Sequence, residues 1–227
     1  MSTAQEIRDR LELVRDRIAD AIRLAGRQPD SVRLVLASKT QPPAALAAAA
    51  DAGARDFGEN YVQEAIAKRA ALARTDLRWH LIGHLQTNKA RLALETFSLI
   101  QTLDDQRLAA TLHRLRPTLR MPTLIEINLA AESSKSGIEP QNAEELINSV
   151  RDQVDIQGLM AVPPVTATAE AARPFFRQLR ELRDRLAAAT ALALTELSMG
   201  MTDDFPVAIL EGATIVRVGR AVFGERQ

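Results

Sequence analysis

Eight short apolar runs alternate with helical stretches along most of this chain, and that alternation leaves few folds open. The runs cover 32–37, 54–57, 79–82, 98–102, 122–127, 156–160, 194–197 and 214–218. Between them, 42–52, 59–73, 86–96, 104–116, 140–151, 168–190 and 203–211 read as helices. Runs such as VRLVLA and MPTLIEI are almost continuously apolar. Strands of that kind are buried on both faces, as in a parallel sheet with helices packed outside it. Eight such units predict an α/β fold, a single (β/α)8 barrel of the TIM type. An open doubly wound sheet is the competing reading. Its first strand ordinarily ends in a glycine-rich turn, whereas this one ends in Ser38-Lys39-Thr40. Ahead of the first strand, Ile7, Leu11, Val14, Ile18 and Ile22 recur at helical spacing, which predicts an extra N-terminal helix over about 4–25. Gly26 and Pro29 end it.

A chain of 227 residues that is 46% hydrophobic suits one compact barrel, so 1–227 is expected to be a single domain. Lys+Arg and Asp+Glu are both 29, and this balance points to neither a nucleic-acid nor a polyanion partner. The absence of cysteine excludes disulfides, thiolate nucleophiles and cysteine-ligated metals. The opening segment MSTAQEIRDRLELVRDR lacks a signal-peptide core. No apolar run approaches the roughly 20 residues of a membrane span. A cytoplasmic protein without a membrane partner is expected.

Barrel enzymes build their sites at the C-terminal ends of the strands. The residues there are Lys39; Gly58, Glu59 and Asn60; Gly83 and His84; Asp104; Asn128; Met160; Ser198, Met199 and Gly200; and Arg217 and Gly219. Lys39 is the sharpest of these. A lysine at a partly desolvated strand end can lose its proton and attack an aldehyde; equally, it can snorkel to solvent. The segment 197–204, LSMGMTDD, and Val216-Arg217-Val218-Gly219-Arg220 occupy the loops that often hold phosphate in barrels. An ordinary capped loop with Thr202 as helix N-cap, and a surface arginine, fit the same residues. His80 and His84 straddle a strand end without a completing carboxylate or cysteine, so no metal site is expected. Trp79 reads as core packing. Lys135, in a polar loop, reads either as solvated or as functional.

LASKTQP, RDFGENYVQEA, WHLIGHLQTNK, INLAAESSKSGI, GLMAVPP, LSMGMTDDFPVAI and VRVGRAVFGER occur in this order from about 33 to 226. Together they resemble the pyridoxal phosphate homeostasis proteins, which look like the barrel domain of alanine racemase standing alone. The resemblance implies pyridoxal 5′-phosphate (PLP) as cofactor, held as a Schiff base on Lys39. It implies that Ser198, Gly200 and the backbone at Gly219 and Arg220 hold the phosphate. Arg217 would approach the pyridine nitrogen, and Asn60, His84 and Met160 would line the pocket. Lys135 matches a lysine thought to accept or pass on PLP. Two departures stand out. Arg220 replaces a frequent serine or threonine, and Gln41 replaces a second lysine found in some members.

The implied function is intracellular PLP homeostasis, with possible delivery to apo-enzymes. The alternatives are a PLP-dependent amino-acid racemase and a barrel enzyme acting on a phosphorylated metabolite. A guanidinium at the ring nitrogen has no acceptor and would keep that nitrogen unprotonated, which disfavours electron-sink chemistry. Racemisation needs an acid/base group on each face of the substrate. Alanine racemase takes its second group, a tyrosine, from an added C-terminal β domain. The chain ends at Gln227 and is expected to lack that domain. Tyr61, the only tyrosine, comes from the second unit and has no evident claim to the role. A monomer is expected, because the absent domain removes one racemase interface.

Overall fold

The computed structural model describes residues 2–130 and 136–224. Eight parallel strands close into a barrel in chain order, β1 to β8, with β8 pairing back onto β1. They are β1 Arg33–Ala37, β2 Asp56–Glu59, β3 Arg78–Leu81, β4 Leu99–Leu103, β5 Pro122–Glu126, β6 Asp155–Met160, β7 Glu196–Ser198 and β8 Ile215–Val218. The helices are α1 Ala4–Leu24, α2 Pro43–Asp51, α3 Val62–Leu72, α4 Ala90–Thr96, α5 Gln106–Leu115, α6 Ala143–Val150, α7 Ala169–Thr190, α8 Phe205–Leu210 and α9 Arg220–Phe223. The (β/α)8 expectation therefore holds, extra helix included. None of the described helices is long and apolar enough to cross a membrane.

Helix α1 starts at a capping box, with Thr3 and Glu6 satisfying each other's backbone N–H. Its buried stripe is Ile7, Leu11, Val14, Ile18, Ala21 and Ile22, packed against α2, α8 and α9. Each larger side chain of that stripe contributes about 2 kcal/mol on burial. The stripe thus fastens α1 over the seam where β8 meets β1.

Strand alternation sorts the core into two parts. Leu36, Ile100, Ile125, Leu159 and Val216 join the large core under the helices. Val35, Leu99, Leu124, Met160 and Ile215 form a separate cluster inside the barrel. Trp79 is buried with its ring centroid 5.7 Å from that of Phe57, as core packing requires.

Several boundaries differ from the sequence expectation. Strand β2 begins two residues later than 54, because residues 52–54 close α2: Ala52 and Ala54 N–H donate to Ala48 and Ala49 carbonyls. The helix expected over 59–73 shrinks to α3, since Glu59 belongs to β2. Thr202 is not the N-cap of α8. Asp204 holds that position, and its carboxylate accepts the Met201 N–H at 2.6 Å. The Thr202 hydroxyl instead accepts from Ala221 N–H at 3.5 Å. The short α9 has no counterpart in the periodicity, because four residues are too few to show one.

Candidate functional site

Lys39 follows β1 at the C-terminal mouth of the barrel and is half-buried. Thr40 behind it has φ +66, a left-handed conformation unusual for a branched residue. Val35 is in register with Asp56 on one side and Arg217 on the other, so all three share the inner face. Met160 is in register with both Glu126 and Ser198, which places those two inside as well. The interior is therefore half polar.

Those polar groups form one directed chain. Arg217 donates to the Ser198 hydroxyl at 2.5 Å and to the Ala161 carbonyl at 2.9 Å. Ser198 has a single proton and donates it to Gln101 Oε1 at 2.6 Å. Gln101 must then present its NH2 to His80 Nδ1, 3.1 Å away. His80 consequently carries its proton on Nε2 and donates it to Asp56 at 2.9 Å. Asp56 also accepts a bidentate pair from Arg78 at 2.7 and 2.6 Å. Both ends force the direction, since guanidinium only donates and carboxylate only accepts. Burial lowers the His80 pKa, with Asp56 pulling the other way. The neutral tautomer that the chain demands is thus the one burial favours. Burial opposes ionisation of Asp56, yet the Arg78 and His80 hydrogen bonds prevail and hold it at about 2.

Replacing Gln101 by methionine would leave the Ser198 proton and His80 Nδ1 buried without partners. The expected loss is about 2 kcal/mol, measured as a shift in the urea midpoint at unchanged slope. An unshifted midpoint would mean that the chain contributes nothing to stability.

Arg217 also faces charge. Burial lowers its pKa to about 10, while Glu126 and Asp204 oppose that shift, so it stays cationic at neutral pH. Burial raises Glu126 to about 7, Asp104 pushes it the same way, and Arg217 opposes both. Glu126 Oε2 is buried without a hydrogen-bond partner among the described residues. Asp104 in turn accepts the Gly137 N–H at 3.0 Å and so ties down the end of the loop after β5.

The remaining predicted residues distribute around this mouth. Gly200 has φ +91, and a Cβ there would lie 2.6 Å from Ala208 Cβ, so only glycine fits. Its carbonyl accepts the Arg217 N–H at 3.0 Å. Gly219 opens α9 so close to β1 that a Cβ would approach the Ala37 carbonyl to 3.0 Å. Arg220 pairs with Asp203. Asn60 directly follows β2, and its Oδ1 is buried without a hydrogen-bond partner among the described residues. His84 is exposed and borders a cleft of about 340 Å³ with Thr87, Asn88 and Asp104. Met160 is buried in the interior cluster. Tyr61 is 64% exposed at the start of α3. Gln41 N–H donates to the Ser38 carbonyl at 3.0 Å. Lys135 lies outside the described residues.

Sequence reasoning missed Gln101, Glu126, Asp56 and the role of His80. One signal could have found the first two. In LIQTL and TLIEI an amide or carboxyl side chain stands within a largely apolar strand, and such a group must find a partner or a ligand inside.

The alanine racemase N-terminal domain family matches residues 11–227. A pyridoxal phosphate homeostasis protein of Aquifex aeolicus is 44% identical over 223 residues, spanning 96% of this chain and 98% of the relative. Its namesake in Pseudomonas aeruginosa is 43% identical, spanning 97% and 96%. This chain belongs to the pyridoxal phosphate homeostasis protein family. A solved member of that family, PipY of Synechococcus elongatus with PLP bound, superposes with a TM-score of 0.85 at 40% identity. The match covers 96% of this chain and all of PipY, so family membership extends over the whole barrel.

Proposed function

We propose that this chain holds PLP covalently through Lys39 and serves intracellular PLP homeostasis, passing the cofactor to apo-enzymes. One observation carries the reading: PipY, a relative matched over its whole length, binds PLP.

The residues present fit the group. Lys39 offers a primary amine at the barrel mouth. Arg217 offers a buried, inward-facing cation on β8, the strand that pairs with β1. Glycines at 200 and 219 let the backbone approach closely, and Asn60 Oδ1 has no hydrogen-bond partner among the described residues. PLP supplies an aldehyde, which condenses with a primary amine with loss of water. In the proposed arrangement the backbone at Gly200, Gly219 and Arg220 holds the phosphate. Ser198 has given its hydroxyl to Arg217 and Gln101 and acts through them. Arg217 faces the pyridine nitrogen, while Asn60, His84 and Met160 line the pocket. Lys135 is proposed as an acceptor during transfer.

The test is a visible absorption spectrum before and after borohydride reduction, followed by peptide mapping. The expected result is an imine band lost on reduction, with pyridoxyl fixed on Lys39. A protein that stays colourless with added PLP would overturn the reading. The role is proposed as non-enzymatic, in line with the relatives' name. Turnover of D- or L-amino acids by the loaded protein would favour the racemase instead.

A further inference from the structure

We propose that Lys68 is a positioning residue for Lys39, an inference that rests on Lys39 being the PLP-bearing amine. Lys68 lies on α3, outside the barrel wall, and is only 4% exposed. Its ammonium has three donors, and three acceptors meet it: the Ser38 carbonyl at 2.6 Å, Glu59 Oε1 at 2.7 Å and Glu64 Oε1 at 2.7 Å. Glu64 Oε1 also accepts the Thr40 N–H at 2.6 Å, and Glu59 Oε1 accepts the Ser38 hydroxyl at 2.6 Å.

The Ser38 carbonyl and the Thr40 N–H belong to the two peptide groups on either side of the Lys39 Cα. Both are therefore tied to one ammonium, the first directly and the second through Glu64. The direction in which Lys39 leaves the backbone is fixed from behind the sheet. Two features indicate that this arrangement serves position rather than stability. Glu59 is fully buried, and a buried ion pair is weak evidence for stability, because apolar residues often do as well. Thr40 is held at φ +66, and such strain persists only where the surroundings over-determine it. A clamp that holds the reacting amine in one direction shortens the search for the aldehyde, and misplacement by about 1 Å can cost as much as 10²-fold.

The experiment compares Lys68→Met in two backgrounds of the full chain, with PLP itself as the probe. In the otherwise native protein, the rate at which borohydride-trappable pyridoxyl accumulates on Lys39 is expected to fall about tenfold. In a Lys39→Ala background, where PLP binds without a covalent bond, Lys68→Met is expected to leave PLP affinity unchanged. An unchanged trapping rate would overturn the proposal. So would an equal loss in the Lys39→Ala background, since that would mark a general structural role. If Lys68→Met does not fold, Glu64→Ala removes the Thr40 tie together with the Lys68–Glu64 pair at a partly exposed side chain and leaves the Ser38 tie in place, and the same two-background comparison applies. Failure of the underlying reading looks different: the native protein itself would trap no pyridoxyl on Lys39, and the positioning role would fall with it.

Discussion

Lys39→Ala is expected to abolish borohydride-trappable pyridoxyl while shifting Tm by no more than about 2 °C. The loss should be complete because the chain has few alternatives. It contains four lysines, at 39, 68, 89 and 135. Lys68 is buried on the far side of the wall with all three donors engaged. Lys89 belongs to a 3-10 turn, Thr87–Lys89, ahead of α4. That leaves Lys135 as the only other amine with a proposed part in PLP handling. The fold should survive because the side chain is removed at the barrel mouth, where no core cavity opens. The clamp on Ser38 and Thr40 uses backbone atoms that alanine retains. Mass spectrometry of the reduced protein and a thermal melt decide it. Pyridoxyl persisting on Lys135 would move the covalent site to the loop after β5. Global unfolding of the variant would make Lys39 structural.

The barrel was legible because its signals are redundant. Eight apolar runs each say little, but together with intervening helical periodicity they admit one closed parallel sheet. Lys39 was legible for a related reason, since a charged residue two positions after VRLVLA stands out against its strand. Helix boundaries at 52–54 and 59–61 were not, because turn hydrogen bonds that close α2 leave no mark in hydropathy. The relay from Arg217 to Asp56 was also hidden. Its members come from β2, β3, β4, β7 and β8, and only the closure of the barrel brings them together. The same holds for Lys68. On α3 it looks like any lysine in AIAKRA, and its burial follows from the packing of that helix against β2 and its reach to Ser38 just past β1. Sequence periodicity reports which face a residue occupies, whereas a buried polar partner is set by register between distant strands.

That distinction governs the last expected result. Glu126→Gln should stabilise the PLP-free protein at pH 8 by up to about 3 kcal/mol, or roughly 6–12 °C in Tm, and should leave it unchanged at pH 4. Glu126 titrates at about 7 in the folded chain, against 4.5 for an ordinary glutamate. Burial is the main cause and the charge of Asp104 adds to it, while Arg217 works in the opposite direction. Below 4.5 both the folded and the unfolded chain hold the proton, so Glu126 carries no penalty there. Between 4.5 and about 7 the unfolded chain binds fewer protons than the folded one, and stability falls as pH rises. Above that window the full penalty persists. Glutamine has nearly the same shape and no charge to desolvate, so it removes the penalty only where Glu126 would be ionised. Melting curves of both proteins at pH 4 and pH 8 provide the measurement. A stabilisation equal at the two pH values would mean that charge is not its source. Destabilisation at pH 8 would mean that the attraction between Glu126 and Arg217 outweighs burial. Retaining a destabilising carboxylate beside Arg217 makes sense if the barrel mouth is built for a polar ligand rather than for an empty core.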